Sequence, residues 1–199
     1  MRKNLQIIIL LLLLAPCLCA CGKTKEAADE SDPAVTGDAN AVCAYVDGEA
    51  VLKAEVDYFT GRLRGSILSD YTEKYGITDL SDFWDTEYDG ITPAATLENE
   101  ALTAAVRAKA ELIEMRKRGI YDEISYDAFM AQALAYNKSR EESPQSVGIS
   151  SVDMSSFYTY YLLNGEIALC EDKEIAADFE KFVEGLVENS EVVLVSDGG

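Results

Sequence analysis

Two short apolar runs stand near the two ends of the part of this 199-residue chain from residue 41 onward, and the region between them has helical patterning. Val42 to Val46 is followed by Asp47-Gly48, a dipeptide typical of a tight turn, and by Ala50-Val51-Leu52, which leads into a helix. Val192 to Val195 lies close to the other end. An isolated strand leaves its backbone N–H and C=O groups unpaired. We therefore expect the two terminal runs to form a two-stranded sheet that joins the ends and packs on a helical body.

The region between these runs predicts a mainly α fold, because apolar residues recur at steps of three and four in five segments. The first predicted helix runs from Lys53 to about Gly76. Starts of later helices are indicated by capping residues or by renewed periodicity, and they fall at Thr92-Pro93, Ser125, Asp153 or Ser155, and about Lys173. The prediction is a helical bundle with a small sheet.

The N-terminus predicts export. Basic Arg2 and Lys3 precede an apolar run, Leu5 to Leu14, that is too short for a permanent membrane span. The run ends in Leu18-Cys19-Ala20-Cys21-Gly22, which resembles the bacterial lipobox. That motif implies lipid on Cys21 and a position at the extracytoplasmic face of the cell membrane. The alternative is an ordinary secretory signal that is cleaved nearby.

This interpretation divides the chain into three parts: a signal peptide over 1–20, an acidic flexible tether over 21–40 that carries the lipid, and a folded domain over 41–196. The tether is poor in apolar residues, so it cannot bury enough surface to offset the entropy of ordering. The formal charge of the whole chain is −19. Such a charge disfavours nucleic acids and anionic lipid headgroups as partners, and it suits either cationic partners or solubility alone.

No catalytic equipment is recognisable in the sequence. The chain has no histidine, which excludes Ser-His and Cys-His nucleophile pairs and histidine-ligated zinc, and it has no phosphate-binding glycine motif. We expect no enzymatic activity, no cofactor and no metal. Asp85, Glu87, Asp89 and Gly90 partly match a calcium loop, but Thr96 stands where that loop needs a glutamate, so a solvated acidic connector is favoured. Whether the two cysteines of the domain form a disulfide or remain buried thiols stays open; they are Cys43 and Cys170.

Aromatic residues are abundant on two of the predicted helices, and they fall on more than one helical face. At least two of them should therefore point away from the core. One interpretation is packing between helices, and the other is an apolar surface that binds unfolded chains. The candidate residues for binding such clients are Tyr58, Phe59, Tyr158, Tyr160 and Tyr161.

The order of these segments resembles the N-terminal domain family of the SurA and PrsA chaperones, which are secreted foldases of the bacterial envelope. The resemblance covers most of residues 42–195, and the segments that carry it are Val46-Asp47-Gly48-Glu49, Val56-Asp57-Tyr58-Phe59, Lys74-Tyr75-Gly76, Asp82-Phe83-Trp84, Ile124 to Phe129, Phe157 to Ala168 and Val187 to Leu194. In that family the chain leaves this domain after the fourth long helix, often to form a parvulin-type prolyl isomerase domain. It then returns to the first domain for a final helix and strand. Here Glu171-Asp172-Lys173 joins the two parts directly.

The resemblance implies the chaperone part of such a foldase without its isomerase. The expected function is that of a membrane-anchored module which holds unfolded or partly folded exported polypeptides, with the lipid as its membrane contact. The alternative is an interaction subunit that docks one folded envelope partner.

Overall fold

The computed structural model describes residues 38–142 and 151–195. The predicted signal peptide, the lipidation site Cys21, nearly all of the tether and most of the loop after the third helix lie outside the described residues. In the described part the chain forms three strands and six helices, in the order β1 (Val42–Val46), β2 (Glu49–Leu52), α1 (Lys53–Tyr75), α2 (Pro93–Lys117), α3 (Tyr126–Glu141), α4 (Met154–Leu169), α5 (Lys173–Ala177), α6 (Phe179–Glu188) and β3 (Val192–Leu194). The fold is mainly α with a small sheet, as predicted.

The sheet joins the two ends of the domain. β1 pairs antiparallel with β3, so that Ala44, Tyr45 and Val46 lie opposite Leu194, Val193 and Val192. The predicted pairing of the terminal strands is thus confirmed.

The sheet also has a third strand, because β2 pairs with the other edge of β1 and gives the order β2-β1-β3. Asp47 and Gly48 both have positive φ, 49° and 82°, which is the backbone geometry of a tight hairpin turn. That turn folds Glu49–Leu52 back onto β1 before α1 begins.

Helix starts coincide with the predicted capping residues. The side-chain oxygens of Thr92, Ser125 and Asp153 each accept a hydrogen bond from the backbone N–H three residues later. Such caps satisfy N–H groups that have no partner within the helix. At the other end of α1, Gly76 adopts a left-handed conformation and closes the helix where the sequence predicted.

The core lies where the sheet and α1 meet α2. The inner face of the sheet is fully buried through Ala44, Val46 and Val51. Small residues of α2 let neighbouring elements approach its backbone closely; they are Ala101, Ala105, Ala108 and Ala110. A second, smaller core lies at the acidic connector, Asp79 to Asp89, between α1 and α2, and it contains Ile67, Phe83, Trp84 and Leu97.

The structure also shows the state of the two cysteines and the hydropathy of the helices. No disulfide joins Cys43 and Cys170, and both are half-buried thiols. Among the described helices, none combines the length and the hydropathy that crossing a bilayer requires.

Candidate functional site

The predicted client-binding aromatics divide into buried, half-buried and exposed residues. Tyr158 and Tyr161 are each 4% exposed and belong to the core. Tyr58 and Phe59 are half-buried against that core, whereas Tyr160 is 56% exposed. Tyr160 is therefore the member of the predicted set that presents most of its ring to solvent.

The buried aromatics join helices. The ring of Tyr158 makes edge contacts with the rings of Tyr58, at 4.7 Å between centroids, and of Phe129, at 4.9 Å. The hydroxyl groups of Tyr58 and Thr159 are 2.8 Å apart, within hydrogen-bonding distance. Tyr161 stacks on Tyr121 at 4.4 Å. In this conformation the interpretation as packing between helices applies to these rings, and Tyr158 and Tyr161 offer almost no surface to a client.

An exposed apolar stripe does run along α4. Tyr160, Leu163 and Ile167 are 56%, 51% and 58% exposed, and their spacing of three and four places them on one side of the helix. The stripe ends at a shallow depression of about 500 Å³, where Cys170 and Phe179 join Leu163 and Ile167. We call Tyr160, Leu163 and Ile167 the α4 stripe. Of these three residues, only Tyr160 belongs to the binding residues predicted from the sequence.

A second apolar surface lies between α2, α6 and β3. It is a groove of about 630 Å³, and we call it the β3 groove. Its lining is mostly aliphatic, with polar groups at the margin: Asn99, Leu102, Thr103, Val106, Arg107, Val183, Glu184, Val187, Glu188, Val192 and Leu194. No local sequence pattern indicates this groove, because its walls come from segments far apart in the chain.

Of the charged side chains at the margin of the β3 groove, the arginine forms ion pairs within the described part of the chain and the two glutamates do not. Arg107 donates to both carboxylate oxygens of Glu180, with Nη2 to Oε2 at 2.8 Å, and its Nε lies 3.4 Å from Glu111. The contacts with Glu180 tie α2 to α6, whereas Glu111 lies on α2 itself. Glu184 and Glu188 are exposed on α6 and have no cationic partner among the described residues, so the free charge at the groove is negative.

A buried polar network lies deeper, between α1, α2 and α4. Glu55 accepts hydrogen bonds from the backbone N–H of Leu52 and from the hydroxyl of Tyr158, both at 3.0 Å, and Lys109 Nζ lies 2.9 Å from the same carboxylate. Burial is the main cause that raises the pKa of Tyr158 well above its usual range, and the nearby carboxylate of Glu55 is the second. Because Glu55, Lys109 and Tyr158 are almost wholly enclosed, this network anchors helices and offers a substrate no access.

One further acid has an unusual environment. Burial, reinforced by the nearby carboxylate of Glu166, raises the pKa of Glu111 to about 7, although Arg107 acts in the opposite direction. Burial also raises the pKa of Glu166. Glu111 therefore exchanges its proton near neutral pH while it lies next to the contact between α2 and α6.

Within residues 38–142 and 151–195, no group of three potential metal-ligating side chains comes together. In the acidic connector, Asp89 accepts hydrogen bonds from Tyr75, at 2.6 Å, and from Lys74, at 3.1 Å.

Comparison of the chain with protein-family models, with curated proteins and with solved structures finds no match.

Proposed function

We propose that this protein is a chaperone-like module, anchored by lipid on Cys21 at the extracytoplasmic face of a membrane, that holds exported polypeptides without isomerase activity. The observation that carries the proposal is the α4 stripe, in which Tyr160, Leu163 and Ile167 remain more than half exposed. Large apolar side chains grouped on the surface of a soluble domain typically mark an interaction site.

The charge of the chain supports the same function. A formal charge of −19 keeps copies of the protein apart even though they expose apolar side chains. A holdase needs this combination, because its apolar surface must meet clients and not other copies of itself. The resemblance to the SurA and PrsA N-terminal domains leads to the same proposal.

The test is suppression of aggregation. A chemically denatured model protein is diluted into buffer with or without this protein, and light scattering is followed at near-equimolar ratio without nucleotide. We expect suppression that persists at about 0.5 M salt, because apolar contacts are not screened by ions. The triple variant Tyr160→Ser, Leu163→Ser, Ile167→Ser should lose most of it.

The matched control is Leu80→Ser. Leu80 is an exposed apolar residue of the acidic connector, outside the α4 stripe. Full suppression by the triple variant would remove the stripe from the mechanism. Failure of the wild-type protein to suppress aggregation would instead favour the alternative of a subunit that docks one folded partner, which crosslinking on intact cells would reveal as a single stoichiometric protein.

A further inference from the structure

We propose that β3 is an acceptor strand: an extended polypeptide segment, with apolar residues at alternate positions and basic residues between them, adds to its open edge as a fourth strand. The apolar side chains of the segment would occupy the β3 groove. This site is separate from the α4 stripe, and the proposal does not depend on holdase activity.

The hydrogen-bond ladder of the sheet establishes which groups are open. The N–H of Asp47 donates to the carbonyl of Glu191 at 2.9 Å, and the N–H of Val195 donates to the carbonyl of Cys43 at 3.0 Å. Backbone groups of an antiparallel strand point alternately to its two neighbours. Glu191 and Val195 therefore face β1, whereas the N–H and C=O groups of Val192 and Leu194 point to the other side, where no described strand pairs with them.

The side chains of the same two residues lie on the helix-facing side of the sheet. Val192 and Leu194 pair with Val46 and Ala44, which are fully buried, yet they remain 39% and 63% exposed. Their exposure has a local cause, because both residues line the β3 groove. A strand hydrogen bonded to β3 at the usual spacing of about 4.8 Å would place alternate side chains in this groove.

The edge of β3 is short, at three residues, but it carries no charged residue, proline or bulge. Natural sheets protect their edges with charged residues, proline or bulges. Residues 192–195 are Val-Val-Leu-Val, and each is more than a third exposed. The other edge strand, β2, carries Glu49 in an ion pair with Arg116 at 2.7 Å. The two edges thus differ, and β3 is the one suited to accept a strand.

Charge selects the occupant. Glu184 and Glu188 line the groove and are exposed on α6, and the chain as a whole has a charge of −19. A second copy of this chain would bring the same negative charge to the edge and be repelled. A segment with lysine or arginine between its apolar residues matches both the aliphatic floor of the groove and its acidic margin.

The test is a peptide titration of the purified full-length protein. The probe is a fluorescent nine-residue peptide of alternating valine and lysine, and binding is followed by anisotropy. The control is a peptide of the same composition in which the valines form one block and the lysines another. We expect the alternating peptide to bind at least tenfold more tightly, because only alternation places every valine on the groove side.

Backbone methylation then tests strand addition directly. In an antiparallel addition, the groove-facing valines are the residues whose N–H groups donate to β3. Methylating two valine nitrogens should weaken binding about tenfold, since each hydrogen bond contributes a factor of a few. Methylating two lysine nitrogens should change affinity less than threefold. Equal effects of the two modifications would overturn the proposal.

Variants of the protein provide the second arm. Leu194→Thr, on the groove side, should weaken binding of the alternating peptide about tenfold, whereas Val193→Thr, on the opposite face of the same strand, should not. Glu184→Gln with Glu188→Gln should weaken binding severalfold and reduce its salt dependence. Equal effects of the two threonine variants, or a concentration-dependent dimer in sedimentation that Leu194→Thr abolishes, would contradict a peptide occupant. If the wild-type protein binds the alternating peptide but does not suppress aggregation, only the holdase proposal is contradicted.

Discussion

Lys109 and Glu55 form an ion pair in the core, with 2.9 Å between Nζ and Oε1 and side-chain exposures of only 2% and 3%. Removing two charges from water costs several kcal/mol per ion unless partners compensate for it. Here the carboxylate also accepts hydrogen bonds from Leu52 and Tyr158. Glu55 therefore links the start of α1 to both α2 and α4 through one side chain.

This relationship predicts that Lys109→Met is strongly destabilising. The variant leaves the charge of Glu55 buried without its cation, and we expect a loss of about 3–5 kcal/mol in the free energy of unfolding. Urea denaturation followed by circular dichroism measures it.

The matched control is the double variant Glu55→Gln, Lys109→Met. The amide oxygen of the glutamine at position 55 can still accept hydrogen bonds from Leu52 and Tyr158. The double variant should therefore recover part of the free energy of unfolding that Lys109→Met loses. Strict additivity of the two single changes would show that the charges do not interact.

Stability should fall as pH rises from about 4.5 to 7 through the titration of Glu111. Its pKa rises from 4.5 to about 7 in the folded protein, so the folded state holds a proton that the unfolded state has lost. The stabilisation is complete below the unfolded pKa and disappears as pH passes through 7. The shift corresponds to about 3 kcal/mol.

Urea denaturation at pH 5 and pH 8 tests this for wild type, for Glu111→Gln and for Glu98→Gln. Glu98 is exposed on the same helix and controls for the general charge change. Glu111→Gln should leave stability at pH 5 little changed and raise it at pH 8. Identical pH dependence in all three proteins would contradict the assignment. Carboxylates such as Asp153, whose pKa is lowered by hydrogen bonds from Ser156, act in the opposite sense only at more acidic pH.

Gly165 should not tolerate a methyl group. A Cβ at this position of α4 would overlap the thioether of Met115 and lie 3.1 Å from the ring of Tyr121. Met115 is fully buried, so its side chain would have to repack against its core neighbours to make room. We expect Gly165→Ala to lower the melting temperature, with a loss of about 1–3 kcal/mol.

Gly61→Ala is the matched comparison, because Gly61 is an exposed position of α1 with open space around its Cα. There alanine should stabilise the helix by up to about 1 kcal/mol. A similar change in melting temperature for both variants would refute close packing at Gly165.

Lipid attachment predicts a change of location in Cys21→Ser. The variant should appear in the medium or periplasm, because it lacks the acyl chains that hold the protein at the membrane. Fractionation and immunoblotting compare it with wild type and with Cys19→Ser, which leaves the modified cysteine in place. Unchanged membrane association of Cys21→Ser would show that Cys21 does not carry the anchor.

Local chemistry explains which parts of the fold the sequence predicted. The hairpin turn at Asp47-Gly48, the caps at Thr92 and Ser125 and the stop at Gly76 each depend on a residue and its immediate neighbours. The strand β2 was missed because its four residues acquire strand character only by pairing with β1.

The candidate site could be predicted much less well. Periodicity assigns Tyr158 and Tyr160 to different sides of α4, but which side is buried depends on where α1 and α3 pack. The groove beside β3 and the pairing of Glu55 with Lys109 both join residues distant in sequence, and no local pattern signals them. A glutamate three residues after the start of a helix does indicate capping of its first turn, and Glu55 performs that part of its role.

The pairing of β1 with β3 also determines the order in which the domain can be completed. During synthesis β1 and β2 can form their hairpin at once, but one edge of β1 must wait for Val192–Leu194 at the far end of the domain. Contacts between such distant segments form slowly, because a long loop must close first. Until then the nascent chain carries an unpaired edge on β1, so it resembles the clients that we propose it holds.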